Sequence, residues 1–151
     1  MKKLFSILFI FTMLSMVFVS CGDEKDDPVI PTQKLESVYE SESDTHFMFD
    51  INLDKDSSSI YLYNIVFTIG EAQSPAMNIR IDAPVTVDKS GKVYTYAGTN
   101  IIPFMLRGNT PVPAPGFVVT NLTCNVDTKN KNFNIFFNCH GGEYSHSGKL
   151  K

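Results

Sequence analysis

The sequence predicts an all-β fold: a single antiparallel up-and-down β-barrel of about eight strands, with a two-sheet β-sandwich as the alternative. Three observations carry this. Apolar and polar residues alternate with period two in short segments along most of the chain. Turn-forming residues interrupt those segments roughly every ten residues, the spacing of small sandwiches and barrels. After the first twenty residues no stretch repeats its apolar positions at helical spacing.

The chain opens Met1-Lys2-Lys3, runs apolar from Leu4 to Val19, and meets Ser20-Cys21-Gly22. A charged start, an apolar run and a small residue mark a secretory leader, excluded from the fold. The alternative, an uncleaved anchor, wants about 20 apolar residues, and this run is a little shorter. Phe18-Val19-Ser20 before Cys21 resembles the lipobox of bacterial lipoproteins. That resemblance implies cleavage before Cys21, a lipid on its sulfur, and a mature protein held at the membrane without crossing it. Gly22-Asp23-Glu24-Lys25-Asp26-Asp27 follows. It resembles the acidic export signal that some Gram-negative bacteria attach to surface lipoproteins, and it also reads as a solvated tether. The resemblance implies an outer-membrane address with exposure at the cell surface. The domains expected are a signal peptide over 1–20, an acidic and Pro-containing linker over 21–33, and one β-domain over 34–151.

Without residues 1–20, 131 residues remain, enough for one domain with a modest core. Thirteen bases become eleven against sixteen acids, a formal charge of −5, and four of those acids lie in the tether. The folded part is therefore close to neutral. No basic patch stands out, which argues against nucleic acid as a partner.

The strands follow in order. Leu35–Glu42 reads as an additional first strand. His46–Leu53 places Phe47, Phe49, Ile51 and Leu53 on one face and His46, Met48, Asp50 and Asn52 on the other. After the turn Asp54–Ser58, Ile60–Ile69 is apolar on both faces. Ile60, Leu62 and Val66 oppose Tyr61, Tyr63, Ile65 and Phe67, as in a strand covered on both sides. Gly70–Pro75 reads as a loop. Met77–Val87 alternates most cleanly, and Pro84 on its polar face suggests an edge or bulge. Asp88-Lys89-Ser90-Gly91 is a hairpin turn before Val93–Ala97. Ile101–Leu106 is a short apolar run, and Arg107–Gly116 reads as a loop stiffened by Pro111, Pro113 and Pro115. Val118–Val126 and Phe133–Cys139 form the next pair, with Val118, Leu122, Cys124 and Val126 beside Phe133, Ile135, Phe137 and Cys139. Gly141-Gly142 turns the chain into Tyr144–Leu150.

This order, with Ile60-Tyr61-Leu62-Tyr63-Asn64-Ile65, Met77-Asn78-Ile79-Arg80-Ile81, a Ser90-Gly91 hairpin and a closing Tyr144-Ser145-His146-Ser147-Gly148-Lys149-Leu150, looks like the calycin-like β-barrel lipoproteins. The likeness spans roughly Leu35 to Leu150. It is a pattern of strands and glycines, implying a fold and no catalytic residues. The Gly-x-Trp signature of true lipocalins is missing, since the chain has no Trp. Sugar-binding surfaces often use Trp as well, so that function is weakened.

Chemistry is sparse. Cys21 is assigned to lipid, leaving Cys124 and Cys139. With a tight turn over Asp127–Asn132, Cys124 faces Ile135 and Cys139 lies near Thr120. Register then separates the two cysteines by about four residues, roughly 13 Å at the usual strand rise, too far for a bridge. A shifted register would bring them together; otherwise both are small core residues. His46, His140 and His146 match no zinc spacing. Ser145 and Ser147 flank His146 but alternate to the opposite face. Asp50 and Asp82 sit on polar faces, and Asn121-Leu122-Thr123 is a bare sequon. No catalytic residue, metal site or cofactor is assigned. The candidate contact residues are Phe104, Met105, Pro111, Pro113, Pro115 and Phe117, where stiff prolines and flanking rings offer a preformed apolar surface. The alternative there is a rigid connection between strands. The expected function is non-catalytic binding of a small ligand or an envelope protein, with an accessory structural subunit as the runner-up.

Overall fold

The computed structural model describes residues 31–38 and 44–151. The expected leader, Cys21, most of the expected linker and the end of the first expected strand lie outside the described residues. The strands are β1 (Thr32–Glu36), β2 (His46–Asn52), β3 (Ser58–Ile65), β4 (Thr68–Ile69), β5 (Ala72–Gln73), β6 (Met77–Ala83), β7 (Val85–Val87), β8 (Val93–Gly98), β9 (Phe104–Arg107), β10 (Thr110–Pro113), β11 (Val119–Asp127), β12 (Asn132–Cys139) and β13 (Gly142–Lys149). A single turn of 3-10 helix, Pro115–Phe117, precedes β11. Among the described residues no helix is long and apolar enough to cross a membrane.

The strands form a six-stranded sheet in the order β1-β2-β3-β6-β9-β10 and a five-stranded sheet in the order β13-β12-β11-β8-β7, with β4-β5 as a small separate hairpin. Every pairing is antiparallel. The all-β antiparallel class holds. The described strands make no closed barrel, and the two-sheet arrangement fits the sandwich alternative as well. Backbone links also join the two sheets. Met77–Val87, expected as one strand, breaks at Pro84, so that β6 pairs in one sheet and β7 in the other. Proline has no N–H for a ladder bond there, while its carbonyl accepts from Ala97 N at 3.2 Å. Opposite this strand, Ser37 bridges Leu150, Val38 N donates to Lys149 O and Lys151 N donates to Glu36 O.

Alternation decides what lies between the sheets. Phe47, Phe49, Ile51, Ile60, Leu62, Ile79 and Ile81 point inward from one side. Tyr94, Tyr96, Leu122, Cys124, Val126, Phe133, Ile135 and Phe137 meet them from the other. Phe133 packs against Phe47 at 5.0 Å and Phe49 at 5.1 Å between ring centroids. Each such side chain contributes about 1.5–3 kcal/mol by leaving water.

Two bulges correct the expected faces. In β3 the pairing shifts between Leu62 and Ile65, where Asn64 has φ 57°. One extra residue moves the inward phase from Ile60 and Leu62 to Ile65 and Phe67, leaving Val66 exposed. In β11 the shift falls between Thr120 and Thr123, at Asn121 with φ 52°. Val119 therefore faces inward and Val118, expected in the core, lies outside. The same extra residue sets Cys139 opposite Val119 rather than Thr120, while Cys124 pairs with Ile135 as expected. Both cysteines are buried and free. Asparagine suits both bends because its short polar side chain tolerates the left-handed region.

Two segments read as loops contain strand. Thr68–Ile69 and Ala72–Gln73 pair across Gly70. Thr110–Pro113 pairs with Phe104–Arg107, through a turn in which Gly108 takes φ 61°. Pro111 and Pro113 occupy alternate positions of this edge strand, where their N–H groups would point off the sheet. They strip the edge of donors that a foreign strand could use. The first strand begins at Thr32, inside the stretch read as linker.

Candidate functional site

The solvent-facing side of the six-stranded sheet carries a band of half-buried rings that no core requirement explains. Its residues come from the positions alternating with the inward row. β2 supplies His46 and Met48, β3 supplies Tyr61 and Tyr63, β6 supplies Arg80, and β9 supplies Phe104. Cross-strand register sets His46 opposite Tyr63, Met48 opposite Tyr61, Tyr61 opposite Arg80, and Arg80 opposite Phe104. All are partly exposed.

The geometry is ordered. His46 stacks on Tyr63 with centroids 4.5 Å apart and planes 12° from parallel. Tyr63 lies 6.3 Å from Tyr61 at 9°. The Arg80 guanidinium sits over the Phe104 ring, 4.4 Å from its centroid, an attraction of about 0.5–2 kcal/mol depending on exposure. Arg80 also donates from Nη2 to Asp82 Oδ2 at 3.0 Å, and Ser59 Oγ holds the other oxygen of that carboxylate at 2.7 Å. Arg80 Nε is buried without a partner among the described residues. Burial and then neighbouring Tyr61 raise the pKa of the Tyr63 phenol. At the β1 end, Glu36, His46, Met48 and Tyr63 line a depression of about 130 Å³. The hydrogen bond and charge of Lys151, 2.7 Å away, hold the Glu36 carboxyl below its ordinary pKa.

The contact residues expected from sequence do not share one face. Phe104 belongs to the band, and Pro113 lies beside it in register. Met105 pairs with Ile79 and alternates to the inward side. Phe117 packs inward, 5.4 Å from Phe67 and edge-on to His140 at 4.5 Å. Pro111 and Pro115 are exposed on the hairpin and the 3-10 turn. Sequence reasoning missed the contributions of His46, Met48, Tyr61, Tyr63 and Arg80. The available signal was β3, apolar on both faces, whose outer rings are now seen to face solvent.

His146 faces inward, 5.3 Å from Phe47, while Ser145 and Ser147 are exposed on the other side of β13. Among the described residues no group of three or more His, Cys, Asp or Glu is placed to hold a metal ion. Burial raises the thiol pKa of Cys124 and pushes that of Cys139 up to about 11, which keeps both protonated and inert. The band offers phenols, a cation and a thioether for recognition. Compared with protein-family models, curated proteins and solved structures, the chain matches none.

Proposed function

We propose that this chain is a cell-envelope lipoprotein, tethered to the outer membrane through Cys21, that binds a partner protein without catalysing a reaction. The single observation that carries the reading is the contiguous outward band of His46, Met48, Tyr61, Tyr63, Arg80 and Phe104. Tyr, Met, Phe and Arg are among the side chains enriched where proteins meet, and Tyr and Arg are among those that anchor such contacts. A small ligand held between the sheets is the weaker form of the hypothesis. Rings from both sheets occupy part of that space, with Phe47, Phe49 and Phe133 in mutual contact.

The finer architecture belongs to the same proposal. The six-stranded sheet contains the order β1-β2-β3-β6 and the five-stranded sheet the order β7-β8-β11-β12-β13; β6 runs on into β7 across Pro84, and an isolated bridge joins Ser37, just after β1, to Leu150, just after β13. This supports an up-and-down barrel, the calycin-like form the sequence resembles.

Native mass spectrometry of the full chain, gently extracted from its own envelope, tests the function. The expected result is a protein adduct of one defined mass, lost in Tyr61→Ala and Arg80→Ala. Isolation of the wild type alone, or an adduct unchanged in both variants, refutes the proposal. Labelled fatty acid should enter the wild type and fail to enter Cys21→Ala.

A further inference from the structure

The outer face of the five-stranded sheet has a different chemistry. One straight row, Thr86, Thr95, Asn125, Asn134 and Ser147, takes one residue from each of β7, β8, β11, β12 and β13. The adjoining row is Ala97, Thr123, Phe136 and Ser145. At the strand spacing of about 4.8 Å the first row spans about 19 Å. None of these nine positions is charged. At the usual surface frequency of charge, roughly three in ten, nine positions would hold about three. The charges lie on the flanking rows, Asp127 and Lys149 on one side and Glu143 on the other. The opposite sheet, by contrast, carries Lys34, Asp50, Arg80 and Asp82 across its outer face.

The polar groups are pre-oriented. Thr95 Oγ1 donates to Asn125 Oδ1 at 2.8 Å, and Asn125 Nδ2 donates to Asn134 Oδ1 at 3.2 Å. That relay aims the Asn134 amide nitrogen away from Asn125 as a donor. Beside it Phe136 is 37% exposed, between Thr123 and Ser145 in register.

We propose that this face binds a neutral polysaccharide lying across the strands. Uncharged amides and hydroxyls repeated at strand spacing match the hydroxyls of a linear sugar polymer, and Phe136 offers an apolar ring for the C–H face of a sugar. An anionic polymer would call for Lys or Arg in the rows, and a protein partner for the rings and guanidinium found on the opposite face. The sequence lacks the Trp that such surfaces often use; here Phe136 stands in that role. The proposal is independent of the partner surface on the six-stranded sheet.

Affinity electrophoresis of the detergent-solubilised full chain tests it, with dextran, laminarin, mannan or arabinan in the gel and polygalacturonate as the anionic control. At least one neutral polymer should retard the wild type, and raising salt from about 0.15 to 0.5 M should leave that unchanged, since screening acts only on charges. Phe136→Ala and Asn134→Ala should each weaken retardation at least tenfold, and Thr123→Lys, an exposed change that leaves the core alone, should do the same. Tyr61→Ala should bind like the wild type. Absence of retardation by all four neutral polymers, retardation by polygalacturonate alone, or affinity that survives Phe136→Ala and Thr123→Lys would overturn the proposal.

Discussion

Tyr96 is fully buried between the sheets, opposite Cys124 in register, and its hydroxyl has no hydrogen-bond partner among the described residues. Burial raises its pKa well above the ordinary phenol value, so the group stays a neutral O–H. A buried hydroxyl without a partner costs about 1–3 kcal/mol of lost hydration. Tyr96→Phe removes the oxygen and keeps the ring, which packs 6.4 Å from Phe49. The variant should therefore be more stable by about 1–2 kcal/mol. For a domain of this size that corresponds to a rise in Tm of roughly 3–8 °C. Urea unfolding monitored by circular dichroism should show a higher midpoint at an unchanged slope, the mark of a stability change without a change in exposed surface. A variant less stable than the wild type by more than about 0.5 kcal/mol would refute the reasoning, because the hydroxyl would then be making a favourable bond.

Three further outcomes are expected. Asn121, at φ 52°, should accept Gly with little change, whereas Val should lower stability by about 1–2 kcal/mol, measured by thermal unfolding; equal effects would remove the bulge argument. Asp88 accepts from the amides of Val93 and Lys92 and from Ser90 Oγ, and these bonds hold its pKa at about 2 against an ordinary 3.8. Its folded pKa is depressed, so its contribution is complete above the ordinary value and disappears as pH falls from there to about 2. Asp88→Asn should flatten the acid limb of the stability curve in that window, and an unaltered limb would contradict it. Cys124 and Cys139 should resist iodoacetamide in the native protein and both react after unfolding, read by intact mass; rapid native labelling would contradict their burial.

Much of the fold was legible because period two is a local property. His46–Leu53 and Phe133–Cys139 present inside the side chains that alternation selected, with Phe47, Phe49, Ile51, Phe133, Ile135 and Phe137 all buried. The pairing of Cys124 with Ile135 followed from the turn after Asp127, where the carboxylate accepts from Asn130 N at 2.9 Å and fixes the hairpin. The inverted faces have one physical source. At Asn64 and Asn121 a single left-handed residue inserts one step and inverts every face beyond it on that side, and the composition around an asparagine does not announce this. The proline-bearing segment looked like a loop because proline removes a ladder donor, yet on an edge strand that donor has no partner to lose. The outer band was hidden for a related reason: alternation tells which residues share a face, not which face is covered.

Taken alone, the string of residues determined the antiparallel all-β class and most of the inward rows, since each depends on neighbours a few positions apart. Only the tertiary structure decided that one chain segment serves two sheets by breaking at Pro84, and that Tyr63, Tyr61, Arg80 and Phe104 line up across β3, β6 and β9. Those facts arise from contacts between residues distant in sequence, whose register is set by bulges and by packing of one sheet on the other.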